Sequence, residues 1–350
     1  MALVTSLIAF LLIASACECA EKAETCLNDW GNHYVCSSFD LSSLPEEEQL
    51  SVTIRTDSLQ HLKKISAKSN VITLEIESTI GSMEPDSFKG LAGVNVLILK
   101  DIAVPVINPG TFSDLELMSL VLQGDQITDI KPGAFKNSKM SLLRIANTNL
   151  KKIRRGVFND VDVMQLDLFY NKISSIEDGA LAGIPNLYTL KLENNALTSF
   201  DARKIFQGIP KLQILHLHNN NLASLRRSTF EGLTDLTKLV VSSNQITHIE
   251  PGTFNLPNLK ILNLSNNKIK KLDKNILSGD GLTALWELYL NYNELTSLPT
   301  SFLSELPNLR KVGLADNPWE CRSLDLTLKW VEENLTQGFQ EQEAKPTCVE

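Results

Sequence analysis

The sequence predicts an α/β solenoid of about twelve repeats, whose parallel β-sheet lines a concave face. Two observations carry this prediction. A pattern of the form L-x-L-x-x-N-x-L recurs at steps of 22 to 26 residues between residues 52 and 312, and a fixed period of this length is typical of stacked repeats. No unit of this size can bury its apolar side alone, so neighbouring units must share one continuous core.

The two leucines of the pattern predict a short β-strand in every repeat. Side chains alternate along a strand, so both leucines lie on one side of it, and successive strands then pair in parallel about 4.8 Å apart. The first leucine position of each repeat is occupied as follows: Val52, Leu74, Leu97, Leu120, Leu143, Leu166, Leu190, Leu215, Leu239, Leu262, Leu288 and Val312.

A recurring phenylalanine marks the segments behind the predicted strands. It is found at Phe88, Phe112, Phe135, Phe158, Phe230 and Phe254. These segments are bulkier than strands. Each repeat adds one strand and one such segment, so the layer of strands is shorter than the layer behind it and the stack cannot be straight. We therefore expect the array to bend, with its strands on the inner side.

The asparagine position follows each strand, where the chain turns and leaves backbone N–H and C=O groups facing inward. A buried amide carries donors and an acceptor, so it can satisfy such groups across neighbouring turns. Asparagine occupies the position at Asn171, Asn195, Asn220, Asn244, Asn267, Asn293 and Asn317. Earlier repeats carry Asp57, Thr79, Ile102, Asp125 and Thr148. We therefore expect a weaker ladder in the N-terminal half, and faster amide exchange across residues 71–150 than across 166–317.

The N-terminal segment predicts a secretory signal peptide over residues 1–16. Residues 2–16 carry no charged side chain, and small residues follow a short apolar stretch, which is typical of a cleaved leader and not of a membrane span. Cleavage after Ala16 fits the small-x-small rule, and cleavage near Ala20 is the alternative. We therefore expect a secreted, extracellular protein with paired cysteines.

Composition and motifs favour a non-enzymatic protein without a cofactor. The net charge of −8 is of the wrong sign for nucleic-acid binding, which needs a basic footprint. After the leader, no run of eighteen apolar residues occurs, so we expect no membrane span. The sequence contains no glycine-rich nucleotide-binding motif. It also lacks the hydrolase motif G-x-S-x-G and the metalloprotease motif H-E-x-x-H.

His216 and His218 are the candidate metal ligands of the sequence, because they stand two residues apart on one predicted strand. Two such histidines can share a metal ion, and Asp167 and Glu193 lie on neighbouring repeats. The spacing dictates no third ligand, however. We therefore expect two solvated histidines and no metal.

The repeat frame and the ends of the chain together resemble the extracellular leucine-rich repeat family of animals. The pattern L-x-x-L-x-L-x-x-N-x-L covers about residues 50–319. The resemblance implies a right-handed curved horseshoe with an N-terminal cap over residues 21–48, repeats over 49–316 and a C-terminal cysteine cap over 317–350.

Both ends are similar to the cysteine caps of that family, over residues 35–45 and 317–330. The C-terminal end departs from the usual four-cysteine cap, because Ser323 stands where a second cysteine is expected. The resemblance implies one disulfide at each end: Cys26–Cys36 and Cys321–Cys348. Apolar residues then recur at helical spacing, which predicts a helix from about Ser323 that covers the end of the core: Leu324, Leu328, Val331 and Leu335.

Residues beside the strand leucines project into the concavity and are free for recognition, because the core does not need them. Aromatic side chains are frequent anchors of protein interfaces. The sequence indicates two aromatic clusters: Phe169, Tyr170 and Tyr188 on adjacent repeats, and Trp286, Tyr289 and Tyr292 on one repeat. The candidate ligand-binding residues are Arg144, Asp167, Phe169, Tyr170, Tyr188, Lys191, Glu193, His216, His218, Trp286, Tyr289 and Tyr292.

Two further surface features bear on binding. Sequons at Asn263, on the inner face, and at Asn334, in the C-terminal cap, predict N-linked glycans. Basic residues after the strands favour a solvated charged flank, with weak binding of a polyanion such as heparan sulphate as the alternative. They are Lys151, Lys152, Arg154, Arg155, Arg226, Arg227, Lys268, Lys270, Lys271 and Lys274.

These features favour a secreted binding protein that recognises an extracellular protein or glycan through its concave face. The resemblance, with its simplified caps, favours innate immune recognition by an insect-type member of the family. Two alternatives stay open. One is a regulator of the matrix or of development that binds growth factors or cell-surface receptors, and the other is a secreted enzyme inhibitor.

Overall fold

The computed structural model describes residues 26–46, 48–89, 91–208, 210–272, 274–277, 281–335, 338–339 and 346–349. The predicted signal peptide, over residues 1–16, lies outside these residues. Within them, a single sheet of 15 strands forms the concave face. This arrangement confirms the predicted parallel solenoid.

Twelve strands of the sheet are those that the repeat frame predicts. Neighbouring strands pair in parallel and align the frame leucines, as Leu166 does with Leu143 and Leu190. The twelve strands are Leu50–Leu59, Val71–Ile80, Val96–Lys100, Glu116–Gln123, Ser138–Ala146, Val161–Asp167, Thr189–Lys191, Ile214–His216, Lys238–Val240, Ile261–Asn263, Glu287–Tyr289 and Lys311–Gly313.

Short elements connect the strands behind the sheet. Two-residue strands pair in parallel there: Val106–Ile107 with Asp129–Ile130, Lys152–Ile153 with Ser175–Ile176, and Ser224–Leu225 with His248–Ile249. Helical segments are Ala202–Phe206 and Thr300–Leu303, with 3-10 turns at Arg227–Thr229 and Lys274–Ile276. The connections therefore consist mainly of turns and bridges.

The core is continuous along the solenoid, as the stacking requirement predicts. Phe88, Phe112, Phe135 and Phe158 are buried and stack in sequence, with ring centroids 5.0, 5.6 and 6.0 Å apart. Stacked aromatic rings stabilise one another beyond the apolar area that they bury. Each repeat therefore packs its phenylalanine against its neighbours' rings in this part of the molecule.

The asparagine ladder forms as expected. The Oδ1 atom of Asn220 accepts the Leu197 N–H at 2.9 Å, and its Nδ2 donates to the carbonyls of Leu192 and Leu217 at 2.9 and 3.1 Å. Each side chain thus satisfies backbone groups of two repeats. The same bonds recur at Asn195, Asn244, Asn267, Asn293 and Asn317.

The N-terminal half closes its turns by other means. The Thr148 hydroxyl donates to Asn171 Oδ1 at 2.5 Å, whereas Ile102 has no polar side chain and instead donates its N–H to the Gln123 carbonyl at 3.3 Å. Gly124 allows this approach, because a Cβ at that position would stand only 2.5 Å from the Ile102 oxygen. Close backbone contact replaces the missing amide at this turn.

The N-terminal cap is a β-hairpin fastened by a disulfide. Strand Cys26–Trp30 pairs antiparallel with His33–Cys36, which in turn pairs in parallel with Leu50–Leu59. The predicted bond between Cys26 and Cys36 is present. The hairpin therefore covers the strand edge that the first repeat would otherwise expose.

The C-terminal cap carries the predicted Cys321–Cys348 disulfide and a helix over Cys321–Asn334. The helix begins two residues before the predicted start at Ser323, because the extended Glu320 is its N-cap residue. Leu324 and Val331 are buried against the end of the core, as the spacing predicted.

Two more segments complete the C-terminal cap. Trp319 is fully buried and donates its indole N–H to the Leu314 carbonyl at 2.8 Å. Strand Trp319–Glu320 pairs with Cys348–Val349, and Gly338–Phe339 adds the last strand to the main sheet. The cap therefore closes both the core and the sheet edge.

Candidate functional site

Parallel pairing sets the strand residues in rows across the concave face. Asp167 lies beside Arg144 of the preceding strand and Lys191 of the following one, and Lys191 lies beside His216. A second row lies two residues further along and carries Phe169, Glu193 and His218. We call these seven residues the central concave patch: Arg144, Asp167, Phe169, Lys191, Glu193, His216 and His218.

Asp167, one of the predicted ligand-binding residues, is enclosed by its neighbours in this row. Its side chain is completely buried because basic and polar neighbours close over it. Its Oδ2 accepts hydrogen bonds from Arg144 Nε and Nη2 at 3.0 and 2.9 Å, and its Oδ1 accepts one from Gln165 Nε2 at 2.9 Å. Lys191 Nζ lies 3.6 Å from Oδ1. Asp167 therefore positions the two cations beside it.

Arg144 is fixed from two sides. Its guanidinium is bound by the Asp167 carboxylate, and it also lies over the Phe169 ring, 5.4 Å from the ring centroid. Both Arg144 and Phe169 keep part of their surface open. The patch thus presents a cation and an aromatic ring whose positions are set before any ligand arrives.

Glu193, His216 and His218 converge at the other side of the patch. One potential ligand atom of each lies within 4.8 Å of the other two, and the two imidazole rings are 5.7 Å apart between centroids. Glu193 Oε2 and His218 Nδ1 are enclosed and lack a hydrogen-bond partner. The sequence placed Glu193 on a neighbouring repeat without fixing it as a third ligand, and the lateral pairing of repeats brings it beside the histidines.

Partial burial controls the charge of these three groups. Burial, followed by the nearby Lys238 cation, lowers the pKa of His216 to about 4, and the same causes lower the pKa of His218. Burial also raises the pKa of Glu193. Both imidazoles are therefore neutral at pH 7, which leaves a ring nitrogen of each available as an electron-pair donor.

The first predicted aromatic cluster is divided by the structure. Phe169 and Tyr170 are in edge-to-face contact, with centroids 5.8 Å apart. Tyr188, however, is level with Met164, because Thr189 pairs with Gln165. Tyr188 thus lies just before its strand and Tyr170 in the turn after its own, at opposite edges of the concave face.

The second predicted aromatic cluster is divided in the same way. Trp286 precedes its strand and is flanked by Lys260 Nζ and the Arg310 guanidinium, 4.9 and 4.7 Å from its ring. Tyr289 lies within the strand and donates its hydroxyl to Glu287 at 2.5 Å. Tyr292 lies in the turn beyond, exposed and with a positive φ of 55°. These residues do not form one anchor.

An apolar row that the repeat frame did not predict lies along the N-terminal edge of the strands. Met118, Met164, Tyr188 and Trp286 occupy the same position in their repeats, two residues before the first leucine of each strand, and all are exposed. Met164 and Tyr188 border a shallow cavity of about 430 Å³. Comparing this column across the repeats would have revealed the row.

The two predicted glycosylation sites stay predictions. Asn263 lies on the concave face beside Tyr289, and its Oδ1 accepts the Ser265 N–H at 2.9 Å and the Ser265 hydroxyl at 2.6 Å. Asn334 is exposed at the end of the cap helix. A glycan on Asn263 would stand two strands from His216, the nearest strand residue of the central concave patch.

Acidic neighbours oppose the charge of the predicted basic flank. Arg154 Nε lies 2.8 Å from Asp129, and Lys152 Nζ lies 2.7 Å from Glu177. Lys270 Nζ lies 3.6 Å from Glu294. Because these carboxylates cancel part of the positive potential, the structure favours the solvated charged flank over a polyanion site.

Comparison with known proteins agrees with this architecture. The family model described as "Leucine rich repeat" matches overlapping segments between residues 116 and 318. Among the helices that the structure describes, none combines the length and apolar character that crossing a membrane requires.

Similar curated proteins include lumican and tsukushi of Gallus gallus. Lumican is 30% identical over 217 residues, which are 60% of this chain and 61% of lumican. Tsukushi is 32% identical over 235 residues, which are 64% of this chain and 62% of tsukushi. The chain thus spans about three fifths of these relatives. They are extracellular leucine-rich repeat proteins of animals.

Among solved structures, the leucine-rich repeat domain of APL1B is similar along nearly the whole length. The match covers 99% of this chain and 94% of that one, with a TM-score of 0.58 and 18% sequence identity. At this identity the likeness concerns the fold.

Proposed function

This chain belongs to the leucine-rich repeat family, and we propose that it is a secreted, non-enzymatic protein of the matrix or developmental kind, which binds a protein ligand through its concave face. The leader-like N-terminus, the disulfide at each end and the extracellular relatives support secretion. The same relatives favour the matrix or developmental alternative over the innate immune function that the sequence first suggested.

One observation carries the proposal: the buried Asp167 carboxylate holds Arg144 and Lys191 in place on the open face. A buried ion pair is weak evidence for stability, because apolar residues of similar volume often serve a fold equally well. The ion pair favours binding, because it fixes the two cations before a ligand arrives. Side chains fixed in advance lose less conformational entropy when a ligand immobilises them.

The chemistry of the central concave patch indicates the kind of ligand. Arg144 presents a guanidinium next to the Phe169 ring, and Lys191 adds a second cation on the other side of Asp167, two strands from Arg144. Arginine and aromatic residues are enriched where interfaces bind most strongly. We therefore expect a protein segment that offers a carboxylate to the cations and an apolar side chain to the ring.

The test measures binding of the purified protein to a panel of extracellular growth factors and receptor ectodomains by surface plasmon resonance. The wild type should bind at least one of them, and Phe169→Ala should weaken that binding about tenfold or more, as expected for truncating an interface anchor. The matched control is Trp30→Ala, which removes an exposed aromatic ring from the N-terminal cap. The proposal fails if Phe169→Ala binds as the wild type does, or if both variants lose binding equally.

A further inference from the structure

We propose that Glu193, His216 and His218 form a binding site for one Zn²⁺ ion on the concave face. The three side chains come from two adjacent repeats, and lateral pairing brings one potential donor atom of each within 4.8 Å of the others. The site does not depend on the protein ligand proposed above, and neither proposal requires the other.

The donor set suits zinc. Two imidazole nitrogens and one carboxylate oxygen are ligands that zinc takes in open sites, where a water or an outside group occupies the fourth position. Calcium and magnesium prefer oxygen donors throughout. Neutral imidazole is the form that binds metal, and both rings are partly buried and lie side by side.

The distances require only a small closure. Donors at about 2.0 to 2.1 Å from zinc stand about 3.3 Å from each other in a tetrahedron, so atoms now within 4.8 Å must approach by about 1.5 Å at most. Rotation about side-chain torsions covers that distance. The strands that carry the histidines need not move.

Polar atoms of the cluster that lack a hydrogen-bond partner also support a metal site. Glu193 Oε2 and His218 Nδ1 are enclosed, yet they have no hydrogen-bond partner among the described residues. Buried polar atoms of native proteins are nearly always paired. Two such atoms within one three-residue cluster indicate a missing partner, and a cation satisfies the carboxylate oxygen directly.

Two nearby lysines act against a cation. Lys191 and Lys238 both raise the local positive potential at His216. The Asp167 carboxylate binds Lys191 and offsets part of its charge. We therefore expect micromolar affinity, weaker than that of a closed four-ligand site.

Isothermal titration of the full chain with ZnCl₂, after chelator treatment, tests the site. We expect one zinc per chain, and Co²⁺ in its place should give the visible absorption of a four-coordinate site. Loss of even an outer partner of a metal ligand costs about 10- to 100-fold in affinity. Glu193→Gln and His218→Ala should therefore each weaken zinc binding about a hundredfold, and Ca²⁺ in equal concentration should not compete.

His61→Ala is the matched control, because His61 forms the other close histidine–carboxylate pair among the described residues, with Glu84 at 2.6 Å. This variant should bind zinc as the wild type does. Circular dichroism establishes that each variant is folded. Unchanged zinc binding by both Glu193→Gln and His218→Ala, or its loss in His61→Ala, would overturn the assignment.

Discussion

Asp167 shows how one side chain links folding to recognition in this protein. Of the two acidic residues in the central concave patch, only Asp167 is completely buried. Its carboxylate contacts Arg144, Gln165 and Lys191 at once. Its neighbours are partly open to solvent, so they keep the capacity to contact a ligand. Asp167 organises the surface without being part of it.

Removing this charge should destabilise the protein. Asp167→Asn should lower the free energy of unfolding by about 1 to 3 kcal/mol, because Arg144 loses a charged partner while remaining partly desolvated. Urea denaturation measures the change. Asp178→Asn, at an exposed position behind the strand in the same repeat, should stay within about 0.5 kcal/mol of the wild type. Equal effects of the two substitutions would contradict the role assigned to Asp167.

Glu77 predicts a specific dependence of stability on pH. Hydrogen bonds from Arg55 and then from Lys100 lower the pKa of Glu77 from 4.5 to about 2. The unfolded chain therefore binds a proton first as the pH falls, so the stabilisation from Glu77 is complete above pH 4.5 and is lost between pH 4.5 and 2. Glu77→Gln should show a shallower loss of stability than the wild type over that window. Parallel profiles would mean that the ion pairs do not form.

Among the repeats, the asparagine ladder is the main polar element of the fold. Each amide bonds backbone groups of its own turn and of the preceding one, as Asn220 does with Leu217 and Leu197. The function of this position was predictable because its residue type and spacing recur. The closure at Ile102 was not, because it depends on how closely Gly124 approaches a neighbouring backbone.

The ladder predicts a large effect of a single substitution. Asn220→Ala should lower the free energy of unfolding by about 2 to 4 kcal/mol, because each buried group left without a partner costs about 1 to 3 kcal/mol. Asn221→Ala is the control at the adjacent exposed position and should change stability little. Thermal and urea denaturation measure the free energy of unfolding of both variants. A similar, small effect of the two substitutions would contradict the stabilising role of the asparagine ladder.

Hydrogen exchange should separate turns from strands in the N-terminal half. The sequence predicts faster exchange across residues 71–150, but strands there are longer, with ten residues in Val71–Ile80 against three in Ile214–His216. We therefore expect the faster amides to be confined to turns such as residues 101–104. Mass spectrometry of exchanged peptides should show this, and uniform protection of early and late turns would exclude it.

Across the full solenoid, the fold was far more predictable than the site. Frame residues such as Leu166 and Asn195 repeat, so their environment could be inferred from one unit and carried to the others. The site depends on pairs of single residues that do not repeat. The register between neighbouring strands places Glu193 close to His218 and separates Tyr188 from Phe169. The sequence of a single repeat does not reveal that register.

The opposed charges of the flank predict weak affinity for polyanions. Arg154, Lys152 and Lys270 all have acidic neighbours, and the chain carries a net charge of −8. The protein should therefore elute from a heparin column below physiological salt. Retention at higher salt, lost on Arg226→Ala with Arg227→Ala, would show that an unpaired part of the flank binds.

A glycan placed on the concave face tests most directly whether that face is the recognition surface. Val240→Asn creates a sequon with Ser242 on the strand beside His216, whereas Gln245→Asn creates one with Thr247 at an exposed position five residues later in the same repeat. Once mass spectrometry shows both glycans, ligand binding should fall about tenfold or more for Val240→Asn alone, and enzymatic removal of the glycan should restore it. Undiminished binding by the glycosylated Val240→Asn variant would contradict recognition through the concave face.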